Sequence, residues 1–224
     1  MNRFRIFLFV ILLISIQIIH LSSAPETPQD VAAQLEQKLL SLQSFQAHFE
    51  QAYYSASVST PLKEKGILYF KKPDWMRWEY KDPEEKVYLY KEGVLLSYLK
   101  EENQLIRRIL SEDPAGAEIL SLLSGKQKIK DNYLVESSPF PTTAKNVAQI
   151  KLTPKKEEEN SYILLEVDRK SGFIGKAVLF DWAGNKSEFL FSQVKTNLRF
   201  PRELFELKVP DDCEIIEDAE YRKK

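Results

Sequence analysis

The feature that most constrains this chain is a series of short segments in which apolar and polar residues tend to alternate, joined by turns too short to hold a helix. Alternation with a period of two is typical of β-strands. Parallel neighbours would need crossover connections of a dozen or more residues. The sequence therefore predicts an antiparallel sheet. The predicted strands are 66–72, 75–80, 86–90, 94–99, 105–110, 148–153, 162–168, 173–181, 187–195 and 204–209.

Two segments have helical patterns instead. Thr27 and Pro28 fit the N-cap and the first position of a helix, and apolar residues then recur every three or four positions. This predicts one amphipathic helix that ends near Gln51. A second helix is predicted over 112–125, and the polar, proline-marked segment 126–145 predicts a short helix and a loop. The apolar stripe of the first helix is Val31, Leu35, Leu39, Leu42, Phe45 and Phe49.

The N-terminus has the pattern of a secretory signal peptide. Arg3 and Arg5 precede an apolar run over 6–19, and small residues end at Ala24. We expect cleavage after Ala24, which leaves 25–224 as a single domain in the periplasm. An uncleaved membrane anchor is the alternative, although the run is short for a span of about 20 residues. No Cys follows the run to carry a lipid anchor.

Charge and motifs exclude several functional classes. The net charge of −1 becomes −3 when the two arginines of 1–24 are removed, which gives no electrostatic footprint for nucleic acid. His48, placed on the long predicted helix, has no Cys or second His at metal-ligand spacing. Cys213 lies among acidic residues and reads as a small core residue. No nucleotide or hydrolase motif occurs, so we expect no enzyme, no cofactor and no metal.

The strands between Gly66 and Tyr98 carry bulky apolar residues on both faces. A half-solvated antiparallel strand should alternate cleanly. A sheet covered on both faces by helices would explain this composition. A concave sheet that lines a lipid-sized cavity, closed by a helical lid, would explain it equally well. Periodicity leaves the two alternatives open.

The order of residues resembles the LolA family over essentially the whole chain after Ala24, least clearly over 126–145. The resemblance implies an unclosed, strongly curved antiparallel β-barrel (a half-barrel), with an N-terminal helix and a helical lid over a hydrophobic cavity. The residues that carry it are Phe45, Phe49 and Gln51 on a helix, Gly66-x-Leu68-x-Phe70-Lys71-Lys72-Pro73, Met76-Arg77-Trp78-Glu79-Tyr80, Pro83, Gly93, Tyr98, Leu152-x-Pro154-Lys155, Asp181-x-x-Gly184-Asn185, Asn197 and Phe205-x-Leu-x-Val-Pro210.

The resemblance also implies a task. Such a protein carries lipoproteins from an ATP-driven release complex in the inner membrane to an acceptor at the outer membrane, with their acyl chains in the cavity. A periplasmic sensor of lipids or lipoproteins with the same fold is the alternative. A monomer is the simpler expectation for a shuttle.

The family resemblance assigns site residues as well. Lys72 matches the basic residue that latches the lid by hydrogen bonds to backbone groups, where many relatives have Arg. Arg offers a planar fork with five donors, and Lys offers one compact ammonium. The expected lipid-binding residues are Leu68, Phe70, Met76, Trp78, Tyr80, Leu89, Leu96 and Tyr98 from the sheet, and Ile119, Leu120, Leu122 and Leu123 from the lid.

Overall fold

A computed structural model describes residues 26–110, 122–125, 128–140, 142, 144–155 and 161–217. Within these residues the chain is mostly β. Two α-helices are α1 (Pro28–Ser41) and α2 (Ile129–Asn132). The strands are β1 (Ser44–Tyr54), β2 (Leu62–Lys71), β3 (Trp75–Asp82), β4 (Lys86–Lys91), β5 (Val94–Leu99), β6 (Gln104–Ile109), β7 (Tyr133–Ser137), β8 (Val147–Pro154), β9 (Tyr162–Asp168), β10 (Ile174–Phe180), β11 (Lys186–Thr196) and β12 (Glu214–Glu217).

The twelve strands form one sheet in the order β12-β6-β5-β4-β3-β2-β1-β11-β10-β9-β8-β7. Every neighbouring pair is antiparallel except β12 with β6. β12 and β7 are the two edges and do not pair with each other, so the sheet is curved but unclosed. The predicted fold class, a half-barrel with an N-terminal helix, is confirmed.

The predicted long helix is wrong in its second half. α1 begins with a capping box between Thr27 and Asp30 and ends at Ser41, and Leu42 is already extended. β1 then starts at Ser44, so Phe45, Phe49 and His48 lie on a strand. A spacing of four residues places Phe45 and Phe49 on one face of a helix or on one face of a strand. Ala47, fully buried between them, shows that the period is two.

The two faces of the sheet differ in what covers them. We call the face that carries Met76, Trp78 and Tyr80 the inner face, and the opposite face the outer face. On the inner face, α1 packs on β7, β8 and α2 through its buried residues Val31, Ala32, Leu35 and Leu39. Residues 122–125 lie against the last turn of α1, because a Cβ added at Gly125 would meet Leu39 at 3.5 Å.

The predicted strand 204–209 is wrong, and its actual conformation explains the apolar outer face. Arg202–Phe205 is a short 3₁₀-helix, followed by irregular backbone up to residue 210. We call residues 197–213 the C-terminal strap. It crosses the outer face, where Phe200 contacts Tyr69 at 5.7 Å and Phe205 contacts Trp75 at 5.6 Å between ring centroids. The cover on this face is therefore the strap, and neither of the two explanations left open by periodicity included it.

Besides β1, two further strands were not predicted from the sequence, β7 and β12. Segment 126–145 contains the expected short helix, α2, but also β7. β12 pairs in parallel with β6 after the strap has crossed the outer face. Both are short edge strands of four or five residues, which carry little periodicity. Of the predicted second helix, residues 122–124 are helical. Residues 112–121 and the predicted signal peptide lie outside the described residues.

Gly66 gives a test of the packing at the centre of the sheet. A Cβ at this position would lie 2.0 Å from the backbone oxygen of Glu79 and 2.7 Å from the Phe49 ring. Backbone cannot yield as a flexible side chain can, so Gly66→Ala should lower the free energy of unfolding by about 1–3 kcal/mol or more. Urea denaturation measures this change.

Gly175 is the matched control. It lies in another strand, β10, and its added Cβ would meet nothing closer than 3.8 Å. We expect Gly175→Ala to change the free energy of unfolding by less than about 1 kcal/mol. Equal effects of the two substitutions would contradict the close approach at Gly66.

Candidate functional site: the inner face of the sheet

Six aromatic side chains meet on the inner face of β1, β3, β4 and β11. The register places them on one face, because Trp78 pairs with Tyr88 and Phe49 pairs with Phe191. Phe49 contacts the rings of both Trp78 and Tyr80 edge-on, each at 4.9 Å between centroids. Such edge-to-face contacts are the preferred geometry of aromatic pairs. We call these residues the aromatic cluster: Phe49, Trp78, Tyr80, Tyr88, Phe189 and Phe191.

Polar groups border the aromatic cluster towards one end of the sheet. We call them the polar collar: Gln51, Glu64, Lys86 and the Tyr80 hydroxyl. The Tyr80 hydroxyl donates to Gln51 Oε1 at 2.6 Å. Glu64, 5 % exposed, forms an ion pair with Lys86, whose ammonium also lies 4.7 Å from the centre of the Tyr80 ring. Burial, together with the nearby Glu64 carboxylate, raises the pKa of Tyr80, so its hydroxyl remains a hydrogen-bond donor. The collar therefore places neutralised polar groups beside an apolar surface.

Trp78 is the member of the aromatic cluster whose buried polar atom has no hydrogen-bond partner among the described residues. Its side chain is 5 % exposed and its ring contacts Phe49, Phe189 and Phe191. Its Nε1–H finds no hydrogen-bond acceptor among the described residues. An unsatisfied buried donor costs about 1–3 kcal/mol. The aromatic cluster is thus packed but not fully satisfied.

The inner face continues beyond the aromatic cluster onto β4 and β5. Tyr90 pairs with Met76, and Leu95 pairs with Tyr90, so all three lie on the inner face. Tyr88, Tyr90 and Leu95 are only half-buried, unlike Met76, which is fully buried. Sequence reasoning missed Tyr88, Tyr90 and Leu95 as candidate lining residues. The hairpin pairing across Glu92-Gly93 could have identified Leu95.

The structure places ten of the twelve predicted lining residues. Leu68, Phe70, Met76, Trp78 and Tyr80 lie together on the inner face. Leu122 and Leu123 are buried in the same core cluster. Leu89, Leu96 and Tyr98 lie on the outer face and are considered next. Ile119 and Leu120 lie outside the described residues.

The predicted facing of Leu89, Leu96 and Tyr98 is wrong. Leu89 pairs with Arg77 and with Leu96, and Arg77 lies on the outer face. Tyr98 lies two residues beyond Leu96 and therefore shares its face. The error arose because β4 and β5 carry apolar residues on both faces, so that hydrophobicity did not mark which of the two faces is inner. Leu89 is buried on the outer face and is absent from the core cluster.

Lys72 reaches backbone at the end of α1. Its Nζ donates to the carbonyl oxygen of Leu40 at 2.5 Å, and its own N–H donates to the Gln43 carbonyl at 2.9 Å. The Leu40 carbonyl is close to residues 122–125, since a Cβ at Gly125 would lie 3.7 Å from the Leu40 nitrogen. The contact made by Lys72 is therefore with α1, which itself packs against residues 122–125.

Other kinds of site find little support in the described part of the chain. Within it, no three His, Cys, Asp or Glu side chains are grouped so that they could hold a metal ion. His48 is half-buried on β1, and Cys213 is partly buried with a free thiol. Among the helices of these residues, none has the length and apolar character needed to cross a bilayer.

The fold is shared with one solved structure of low sequence similarity, and a second structure is less similar. An uncharacterised conserved protein of Thermus thermophilus superposes with a TM-score of 0.53 at 12 % identity, covering 84 % of this chain and 98 % of that protein. A LolA superfamily protein of Nitrosomonas europaea gives a TM-score of 0.44 at 13 % identity, covering 81 % of this chain and 98 % of its own.

The matches in sequence identify the family more specifically than the matches in structure do. A protein of Methylococcus capsulatus named outer-membrane lipoprotein carrier protein is 28 % identical over 200 residues, which cover 88 % of this chain and 91 % of that protein. A Coxiella burnetii protein of the same name is 25 % identical and covers 96 % of this chain and 99 % of its own. The family model described as outer membrane lipoprotein carrier protein LolA matches residues 40–208. With three quarters of its length matched in this way, the chain belongs to the LolA family.

Proposed function

We propose that this protein is a periplasmic carrier, not an enzyme. It accepts lipoproteins released from the inner membrane by an ATP-driven complex, shields their acyl chains on the inner face of the sheet, and delivers them to an outer-membrane acceptor. The observation that carries the proposal is the inner face, where the fully buried Met76 gives way to half-buried Tyr88, Tyr90 and Leu95. The proposal includes export after cleavage of residues 1–24 and action of 25–224 as one domain and as a monomer.

The energetics of acyl chains require direct transfer between proteins. Withdrawal of an acyl chain from water gains about 0.8 kcal/mol per CH₂, so a 16-carbon chain represents roughly 12 kcal/mol. Three such chains exceed the ceiling of roughly 18–21 kcal/mol for noncovalent affinity. The cargo therefore passes from donor to carrier to acceptor without entering water. Energy enters only at the ATP-driven donor, and the acceptor binds the acyl chains more favourably than the carrier does.

Residues 122–125 and the end of α1 are the part of the protein that we propose to move. Residues 122–125 pack against the last turn of α1 at Leu39, and Lys72, directly after β2, donates to the Leu40 carbonyl there. Without cargo the closed position hides apolar surface from water. With cargo the Lys72 contact breaks and the acyl chains take the place of the displaced side chains. Lys72 then acts as a latch.

Two adjacent leucines test which face binds the acyl chains. Leu95 and Leu96 are both half-buried on β5, but Leu95 lies on the inner face and Leu96 on the outer face. Leu95→Glu should reduce the release of lipoproteins from spheroplasts into a soluble complex at least ten-fold, because a charge on the inner face opposes acyl-chain burial. Immunoblotting of the soluble fraction after incubation with the purified protein measures this release.

Leu96→Glu is the matched control. It introduces the same charge one residue away, on the outer face of the sheet. The release of lipoproteins should remain within about two-fold of that given by the unchanged protein. Circular dichroism of both variants checks that they are folded. Loss of release in both variants, or in neither, would reject the inner face as the binding surface. Uptake of a fluorescent fatty acid without release of lipoproteins would favour the lipid sensor.

The latch is tested by removal of the Lys72 ammonium. Lys72→Met keeps most of the apolar stem but cannot donate to the Leu40 carbonyl. We expect tighter binding of a fluorescent fatty acid, by about two- to ten-fold, because one hydrogen bond of about 0.5–1.5 kcal/mol no longer holds the closed position. Lys72→Arg should restore the closed position and the weaker binding.

The neighbouring lysine serves as the control for charge. Lys71 lies over the Trp75 ring on the outer face, 5.2 Å from its centroid, and Lys71→Met removes the same charge. Its fatty-acid affinity should match that of the unchanged protein. Equal affinities for Lys72→Met, Lys71→Met and the unchanged protein would show that Lys72 does not act as a latch.

A further inference from the structure

The end of the sheet nearest to the polar collar carries exposed apolar side chains on two adjacent turns. Trp182, in the turn between β10 and β11, is 73 % exposed. Val58, between β1 and β2, is 58 % exposed, and Leu62, at the start of β2, is 50 % exposed. Among the large hydrophobic residues that the structure describes, Trp182 is the most exposed. We call residues 55–62 and 181–185 the tip.

The tip is held in one shape by hydrogen bonds. Asp181 Oδ1 accepts from the backbone nitrogens of Ala183 at 3.0 Å and Asn185 at 2.8 Å. Asn185 Oδ1 in turn accepts from the nitrogen of Ala56 at 3.0 Å, which ties the two turns together. The Asp181 carboxylate is thus engaged inside its own turn. The turn presents Trp182 outward while its polar groups are satisfied internally.

This arrangement is costly in water and suited to a lipid surface. Single exposed apolar residues are common and need no explanation. Here, however, three of them share one end of the sheet, on two turns that contact each other. Tryptophan is enriched at membrane–water interfaces, because its ring is apolar and its N–H can hydrogen-bond at the level of the headgroups. Exposed Lys63, next to Leu62, adds a cation that could meet lipid phosphate.

The position of the tip relative to the inner face gives it a use. Tyr53 pairs with both Leu62 and Ser187, and Gln51 pairs with Phe189 of the aromatic cluster. The tip therefore begins two residues further along β1 than the pair that contains Phe189 of the aromatic cluster. The polar collar lies between the tip and the aromatic cluster. Lys72 and the end of α1 lie at the opposite end of the same strands. A bilayer in contact with the tip would lie beside the collar end of the inner face.

We propose that the tip docks this protein on a lipid bilayer surface, with Trp182 inserted at the headgroup level. The inference rests on the proposed carrier function, since the donor complex and the outer-membrane acceptor that exchange acyl chains with the inner face both lie at a bilayer surface. Docking by the tip brings the collar end of the inner face to that membrane while the rest of the sheet stays in water. The contact is weak and reversible, as a shuttle requires.

Vesicle flotation tests the docking. The full chain, purified after export from a Gram-negative host, is mixed with vesicles of phosphatidylethanolamine and phosphatidylglycerol at three to one, and the fraction that floats gives a partition coefficient. Trp182→Ser should lower this coefficient about ten-fold, because it removes one large apolar side chain from the interface. Trp182→Phe should lower it by less than about three-fold.

Ile109→Ser is the matched control. Ile109 is 51 % exposed and pairs with Val94 at the Lys72 end of the sheet, opposite the tip, so its removal should leave the partition coefficient unchanged. A drop in Ile109→Ser equal to that in Trp182→Ser would overturn the tip as the docking surface. The spheroplast release assay separates the two proposals. A protein that releases lipoproteins but does not float with vesicles overturns membrane docking and leaves the carrier function intact, whereas a protein that floats through Trp182 but releases nothing supports docking and contradicts the carrier.

Discussion

The pairing of β1 on both of its sides is the interaction on which the rest of the structure depends. β1 bonds to β2 along one edge and to β11 along the other, and these pairs join strands before residue 111 to strands after residue 121. Its inner-face residues Phe45, Ala47 and Phe49 are at most 1 % exposed. Gly66 opposite Phe49 allows the ring to lie flat on backbone, so that the aromatic cluster can assemble there. A disturbance of β1 would therefore separate the two halves of the sheet and the cluster together.

The inner face of this unclosed sheet is longer than α1 covers, and its half-buried part arises from that mismatch. α1 packs on β7, β8 and α2, where inner-face residues such as Ile150 and Leu152 are fully buried. Towards β4 and β5 the described residues provide less cover, and Tyr88, Tyr90 and Leu95 are half-buried. On the outer face, by contrast, the cover is the C-terminal strap, which buries Phe205 over Trp75.

The sequence predicted the sheet, most of its strands and its class, because those depend on local alternation and on short turns. Prediction from the sequence failed where the spacing of apolar residues fits both a helix and a strand, or fits neither. Phe45 and Phe49 satisfy a helix and a strand equally, and only their burial on β1 distinguishes the two. The strap has no period, because its contacts are with Tyr69 and Trp75, far away in the sequence.

For the site, the alternation within β3 was sufficient to place Met76, Trp78 and Tyr80 on one face. It could not be extended to β4 and β5, because facing there depends on register across a turn, and both faces are apolar for different reasons.

The composition of the inner face bears on how a carrier releases what it binds. An aliphatic cavity that stood empty would lose its dispersion contacts and would bind acyl chains strongly. Here the aromatic side chains contact one another edge-on at 4.9–5.6 Å, so the empty face already satisfies much of its own packing. An entering acyl chain must replace those contacts, and its net gain is correspondingly smaller than its transfer from water. A face that competes with its own ligand in this way holds acyl chains less tightly than an open apolar groove of equal area would. In the carrier function that we propose, the moderate affinity expected of such a face would let the cargo pass to the outer-membrane acceptor without a further input of energy.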